Sequence, residues 1–145
     1  MTDDSRFQTL ADLSSIPSAP FHEATVARYV ADCLRDLGIP LEVDPFGNLI
    51  ATHRNGATER PIALVAHLDH PAIEVSEILS SSEGRAILLG GVPAAGFDRP
   101  VLVSMVTASG TRSATIVGRE VNPATGRIAS LLIRYSGDLS VGDWG

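Results

Sequence analysis

Residues 62–75 read IALVAHLDHPAIEV, and the reading of this stretch decides the fold. Five apolar residues, Ile62 to Ala66, run without polar alternation, the pattern of a strand covered on both faces in the mainly parallel sheet of an α/β domain. In such sheets ligands collect at the carboxyl ends of the strands. His67 and Asp69 stand at that end. In an extended chain a spacing of two puts both side chains on one face, where the imidazole can hold a metal ion and the carboxylate can orient it. The other reading is a strand-end histidine capped by a neighbouring acid, and these residues alone leave both open. His70 would face away from His67 in a strand; Pro71 could turn it round, but a pocket-wall or surface role suits it better than ligation.

Upstream, SRFQTLADL has Ser5 and Gln8 at capping-box spacing, with Phe7, Leu10 and Leu13 recurring at every third position, which predicts a short amphipathic helix. SSIPSAP breaks it. A second helix is predicted from about Phe21 to Leu37, with Val26, Val30, Cys33, Leu34 and Leu37 on one stripe. Gly38 and Pro40 stop it. The short run LEVD, the turn DPFGN with Pro45 and Gly47 at favoured positions, and NLIATH lead to the loop RNGATERP.

Downstream of about Val75 the texture changes to short β-like runs, RAILL, PVLVSMV, SATIV and IASLLIR, separated by Gly, Pro, Asn and Ser. The expected organisation is an αβ unit over residues 1–75 and a β-rich, barrel-like unit over residues 76–145.

Composition removes several classes of function. The chain has 145 residues, 44% of them hydrophobic, and a net charge of −6, enough apolar material for a buried core. Its basic residues are scattered singly, which argues against a nucleic-acid surface. All 11 are arginines. Without lysine, a Walker phosphate loop, a pyridoxal Schiff base and a Ser-Lys dyad have no residue to use. The single Cys33 cannot form an internal disulfide and reads as a small buried hydrophobe. The acidic start MTDDSRFQ lacks the apolar centre of a signal peptide, and the apolar runs are too short to cross a bilayer, so a cytoplasmic protein without membrane attachment is expected. HEATV lacks the second histidine of a helical zinc motif, LGGVPAAGF lacks the Gly-Lys ending of a phosphate loop, and no Gly-x-Ser-x-Gly occurs.

Taken in order, IPSAPFHEATVARYVADCLRDLG, EVDPFGNLIA, IALVAHLDHPAIEVSEI and ILLGG resemble the front of the glutamyl/deblocking aminopeptidases, metallopeptidase family 42. That family's pattern is a Ser-Gly-x-Glu helix start, an Asp-x-x-Gly-Asn turn and an Ala-His-x-Asp strand end. The resemblance implies a two-zinc αβα catalytic domain, with cobalt or manganese as alternative metals, interrupted after the His-x-Asp strand by a β-rich insert that shapes homo-oligomer contacts. It implies His67 as a ligand of the first metal and Asp69 as the catalytic carboxylate that orients it. Glu23 and the pair Gly47-Asn48 match pattern positions but read as structural, one near a helix start and the other in a turn. The chain departs from the pattern at Pro20-Phe21-His22, where Ser-Gly-x would stand, and at His70-Pro71-Ala72, where Glu-Val-Gly is usual.

The family's remaining metal ligands and its Glu pair lie beyond the insert, so the expectation is an N-terminal portion that is inactive by itself. The whole protein would remove N-terminal residues from peptide substrates by metal-assisted hydrolysis. Asp138 and Asp143 read as turn residues. Two other classes stay open: a non-catalytic β-rich assembly module, and a related two-metal amidohydrolase or deacylase.

Overall fold

A computed structural model of the chain describes residues 3–56 and 60–145, with side chains from residue 6 onward. Two compact units are present, one made of Met1–Pro17 and His22–Leu68, the other of Ser18–Phe21 and Asp69–Gly145. The division expected near Val75 falls instead between Leu68 and Asp69, because Val75 lies inside a strand, Ala72–Ile78, that belongs wholly to the second unit.

In the first unit α1 spans Asp3–Ser15 and α2 spans Ala24–Asp36. Because α1 is already under way at Ser5, the capping-box start is displaced; the Ser5 side chain itself lies outside the described residues. Phe7 and Leu10 are exposed, so the stripe predicted for α1 is largely uncovered. On α2 the stripe works as predicted at Val26, which is buried, while Cys33 is only half-buried. Glu23 takes the N-cap position without a side-chain cap bond. Leu37 closes the helix, and Gly38 adopts φ +66, the left-handed conformation that a helix end favours and glycine takes without strain.

Strands β1 (Leu41–Val43) and β2 (Leu49–Ala51) form an antiparallel hairpin. Its turn is built by Asp44, whose carboxylate accepts the Phe46 and Asn48 amides at 2.9 and 2.8 Å and the Asn48 side-chain amide at 2.7 Å. Gly47 supplies φ +87 and donates its N–H to the Asp44 carbonyl at 3.0 Å. The Asn48 hydrogen bonds hold the Asp44 carboxyl below its ordinary pKa. Asp-x-x-Gly-Asn is thus a turn motif with its own local chemistry.

The predicted strand at Ile62–Ala66 is not formed. Residues 61–71 carry no secondary structure, and Ile62, Leu64 and Val65 are 88%, 95% and 93% exposed. The reason is physical: a doubly covered strand gets its hydrogen bonds from neighbours, and the only strands described in this unit, β1 and β2, pair with each other.

The second unit is a five-stranded antiparallel sheet in the order β3-β4-β7-β6-β5. Its strands are β3 (Ala72–Ile78), β4 (Glu83–Leu89), β5 (Val101–Thr107), β6 (Gly110–Val121) and β7 (Ile128–Tyr135), with a 3-10 turn at Ala94–Phe97 before β5. Alternate residues point inward. Val75, Met105, Ile116, Leu131 and Ile133 are fully buried, each contributing about 1.5–3 kcal/mol by removal from water. Tyr135 keeps its hydroxyl satisfied by donating to the Ser80 carbonyl at 2.9 Å.

The last residues of the chain join the two edges of this sheet. Ile73 and Gly145 exchange both backbone hydrogen bonds at 2.8 and 2.9 Å, and the Val75 N–H donates to the Asp143 carbonyl at 2.8 Å. On its other side Trp144 pairs antiparallel with Val106 of β5, donating to the Val106 carbonyl at 3.3 Å and accepting its N–H. Isolated bridges at Trp144 and the hydrogen bonds beside them therefore tie segment 142–145 to both β3 and β5 and curl the five-stranded sheet toward a barrel.

Candidate functional site

The stretch that carries the candidate chemistry falls where one unit gives way to the other. His67 is exposed and belongs to the first unit; Asp69 is half-buried and belongs to the second. His70 is exposed, in keeping with a surface position. Because no strand forms at Ile62–Ala66, the strand-end argument for placing both side chains on one face has no strand beneath it in this chain. Among the described residues no three His, Cys, Asp or Glu side chains gather closely enough to hold a metal ion. A catalytic zinc needs three protein ligands and an open position, so the described residues do not by themselves fit such an ion.

The other acids of interest are accounted for by turns and surface pairs. Asp143 accepts the Ser140 N–H at 2.8 Å and returns its own N–H to the Ser140 carbonyl at 3.1 Å, closing the turn that leads into Trp144. Asp138 is exposed in the segment after β7. On the outer face of the barrel Arg85 reaches Glu120 at 2.7 Å and Glu77 at 3.5 Å. The Arg85 hydrogen bond draws the Glu120 carboxyl below its ordinary pKa. These are solvent-exposed pairs, which add little to stability and bring no group into a pocket.

One backbone feature bears on the sequence pattern. Phe21 has φ +72, a left-handed conformation that is unusual for a bulky residue, and it stands two residues before the α2 N-cap. This is the position at which the aminopeptidase pattern carries glycine. A left-handed backbone there is what glycine would adopt without strain, so the conformation fits the alignment of Pro20-Phe21-His22-Glu23 with Ser-Gly-x-Glu. Sequence reading treated Phe21 as a departure from the pattern and gave no sign of its φ.

Two features escaped the sequence reading altogether. The bridging segment at GDWG has no alternation of apolar residues to announce it. A mostly apolar hollow of about 230 Å³, open to solvent on one side, also lies against β3, β4, β5 and β6 and includes Phe97 and Gly145 in its lining.

The architecture is therefore mixed α/β: a helical and hairpin unit followed by a curled antiparallel β unit. Among solved structures it is similar to PhTET1-12s, described as a dodecamer in the asymmetric unit, with a TM-score of 0.70 and 20% sequence identity. The match covers 99% of this chain and 45% of that one, so the chain spans less than half the length of the structure it resembles. At this identity the likeness is one of fold. No family model matches the chain, and no curated protein matches it. No helix among the described residues is long and apolar enough to cross a membrane.

Proposed function

We propose that this chain is the front part of a metal-dependent aminopeptidase of the metallopeptidase 42 type, a hydrolase that removes N-terminal residues from peptides. The observation that carries the reading is the ordered set of motifs in the sequence, laid on a fold that follows PhTET1-12s along 99% of the chain. The turn at Asp44-x-x-Gly47-Asn48 and the left-handed Phe21 support it, since each gives the local backbone that its motif requires. In this reading His67 supplies one ligand to a zinc ion and Asp69 orients the imidazole. The other ligands and the general base come from chain beyond the residues described here. When bound, such a metal supplies an acidified water for attack on a peptide carbonyl. No catalytic step is assigned to this chain's residues alone. The dodecameric state of PhTET1-12s supports a homo-oligomer as the working form.

A second reading, a non-catalytic assembly module, is favoured by one observation: the β unit closes on itself through Trp144 while no three ligating side chains gather among the described residues. Hydrolysis of aminoacyl nitroanilides separates the two. The longest protein in which this chain is encoded is expected to turn over in a chelator-sensitive way and to lose activity in His67→Ala. Asp69→Asn should fall roughly 10- to 100-fold in rate or metal affinity. Full activity in His67→Ala would remove the metal assignment, and robust turnover by the 145-residue chain alone would show that its site is complete.

A further inference from the structure

The chain has three asparagines, Asn48, Asn55 and Asn122, and the fold holds them differently. Asn48 is locked in the hairpin turn. Its backbone N–H and its side-chain amide both donate to the Asp44 carboxylate, at 2.8 and 2.7 Å, and the next residue, Leu49, lies in β2 opposite Val43. Asn122 stands before Pro123, which has no backbone N–H, and its side-chain oxygen accepts the Ala124 amide at 2.9 Å. Asn55 is exposed, lies outside any helix or strand, and is followed by Gly56. Gly56 is also exposed, with φ +81, and apart from its chain neighbours no heavy atom among the described residues lies within 4 Å of the point where a side chain would begin.

We propose that Asn55-Gly56 is a site of spontaneous covalent modification, at which the chain converts a side-chain amide into a carboxylate and partly reroutes its own backbone. The Gly56 nitrogen attacks the Asn55 side-chain carbonyl carbon. The new C–N bond closes a cyclic imide, the Asn55 Cγ–Nδ2 bond breaks, and ammonia leaves with the proton that Gly56 gives up. Water then adds to one of the two imide carbonyls and opens the ring. Opening at one carbonyl yields aspartate at position 55; opening at the other yields isoaspartate, with the main chain running through the former side chain. Nothing is oxidised or reduced, and water is the one co-reactant. The attack needs a backbone free to rotate and an uncrowded nitrogen. A stretch outside helices and strands gives the first, and glycine, without a Cβ, gives the second. At Asn48 the ring could form only after the side-chain amide had left Asp44, and at Asn122 there is no N–H to attack with. The site belongs to the first unit and does not depend on the aminopeptidase reading.

The test holds the whole 145-residue chain in neutral buffer at physiological temperature and follows it by ion-exchange chromatography and by peptide mapping after cleavage at glutamate. Cleavage after Glu42 and Glu59 leaves Asn48 and Asn55 in one peptide, so fragmentation reads both from the same sample. A form with one more negative charge than the net −6 of the chain is expected to accumulate, its mass gain confined to residue 55 and its products including both aspartate and isoaspartate. Asn48 is expected to convert at least roughly tenfold more slowly, the factor that opening its hydrogen bonds carries. Asn55→Gln, whose longer side chain must close a larger ring, should remove the acidic form, and Gly56→Ala, which crowds the nitrogen, should slow its appearance several-fold. Absence of the acidic form, equal conversion at Asn48 and Asn55, or aspartate without isoaspartate would overturn the proposal. An acidic form that persists undiminished in Asn55→Gln, or appears as fast in Gly56→Ala, would overturn it as well.

Discussion

Adding one methyl group at Gly145 should open the barrel. A Cβ built at Gly145 lies 2.8 Å from the Met105 Cα and closer still to the Ser104 carbonyl, all of it backbone of β5 that cannot step aside as a flexible side chain would. The end of the chain must then swing away, and the two hydrogen bonds between Ile73 and Gly145 go with it. At about 1 kcal/mol net for each bond the loss is about 2 kcal/mol, rising to about 4 kcal/mol if the two bonds between Trp144 and Val106 are also lost. For a chain of this size each kcal/mol lowers the melting temperature by roughly 2–4 °C. Thermal unfolding of Gly145→Ala should therefore fall by roughly 4–16 °C. Amide exchange should lose protection at Ile73 and Val106 while Leu131, in the centre of the sheet, keeps it. Gly142→Ala is the control: its φ is +92 with open space around the added carbon, so it should cost only about 1–2 kcal/mol of backbone strain. A Gly145→Ala protein that melts with the wild type and keeps both edge amides protected would refute the closure argument.

Three further outcomes follow from the same geometry. Phe21→Gly should raise stability by about 0.5–1 kcal/mol, since the left-handed penalty of about 1–2 kcal/mol exceeds the added chain entropy of glycine; denaturant unfolding checks it, with Phe21→Ala expected to gain nothing. Asp44→Ala should dissolve the pairing of Leu41 with Ala51, seen as lost cross-strand contacts by NMR. Because the folded Asp44 pKa is depressed, the wild-type turn should be intact above its unfolded value near 4 and weaken as pH falls through the lower folded value, a titration visible at the Asn48 amide. The bare Ile62–Ala66 segment should drive concentration-dependent association of the 145-residue chain, and Leu64→Glu should suppress it in sedimentation velocity; a wild-type monomer at every concentration would refute this.

Where the chain's own periodicity decides the outcome, the sequence was a good guide. Helix α2 was expected at about 21–37 and runs Ala24–Asp36, because its apolar stripe and the Gly38 stop are both local. The runs RAILL, PVLVSMV, SATIV and IASLLIR fall within or almost within β4, β5, β6 and β7, since alternation marks a half-covered sheet. Pairing is not local, and there the reading failed. Ile62–Ala66 has the composition of a central strand, but a strand exists only with a partner to bond, and no such partner is among the described residues. The converse holds for GDWG, which has no strand composition and yet bridges two strands because both sheet edges offer it bonds. The candidate site shared this limit. His67 and Asp69 were picked out by their place at the end of an expected strand and by a family pattern; composition alone singled out neither. The open hollow beside Leu88, Val101 and Val103 depends on how strands distant in sequence curl together, which no one-dimensional pattern records.

The central claim is that His67 holds a metal ion in the whole protein, and counting bound zinc tests it most directly. The longest protein that contains this chain would be purified with zinc, dialysed against buffer, and measured by atomic absorption as wild type, His67→Ala and Asp69→Asn. The account predicts two equivalents in the wild type, loss of one in His67→Ala, and in Asp69→Asn a full complement that is surrendered to chelator at roughly 10- to 100-fold lower concentration. An undiminished zinc content in His67→Ala would contradict it.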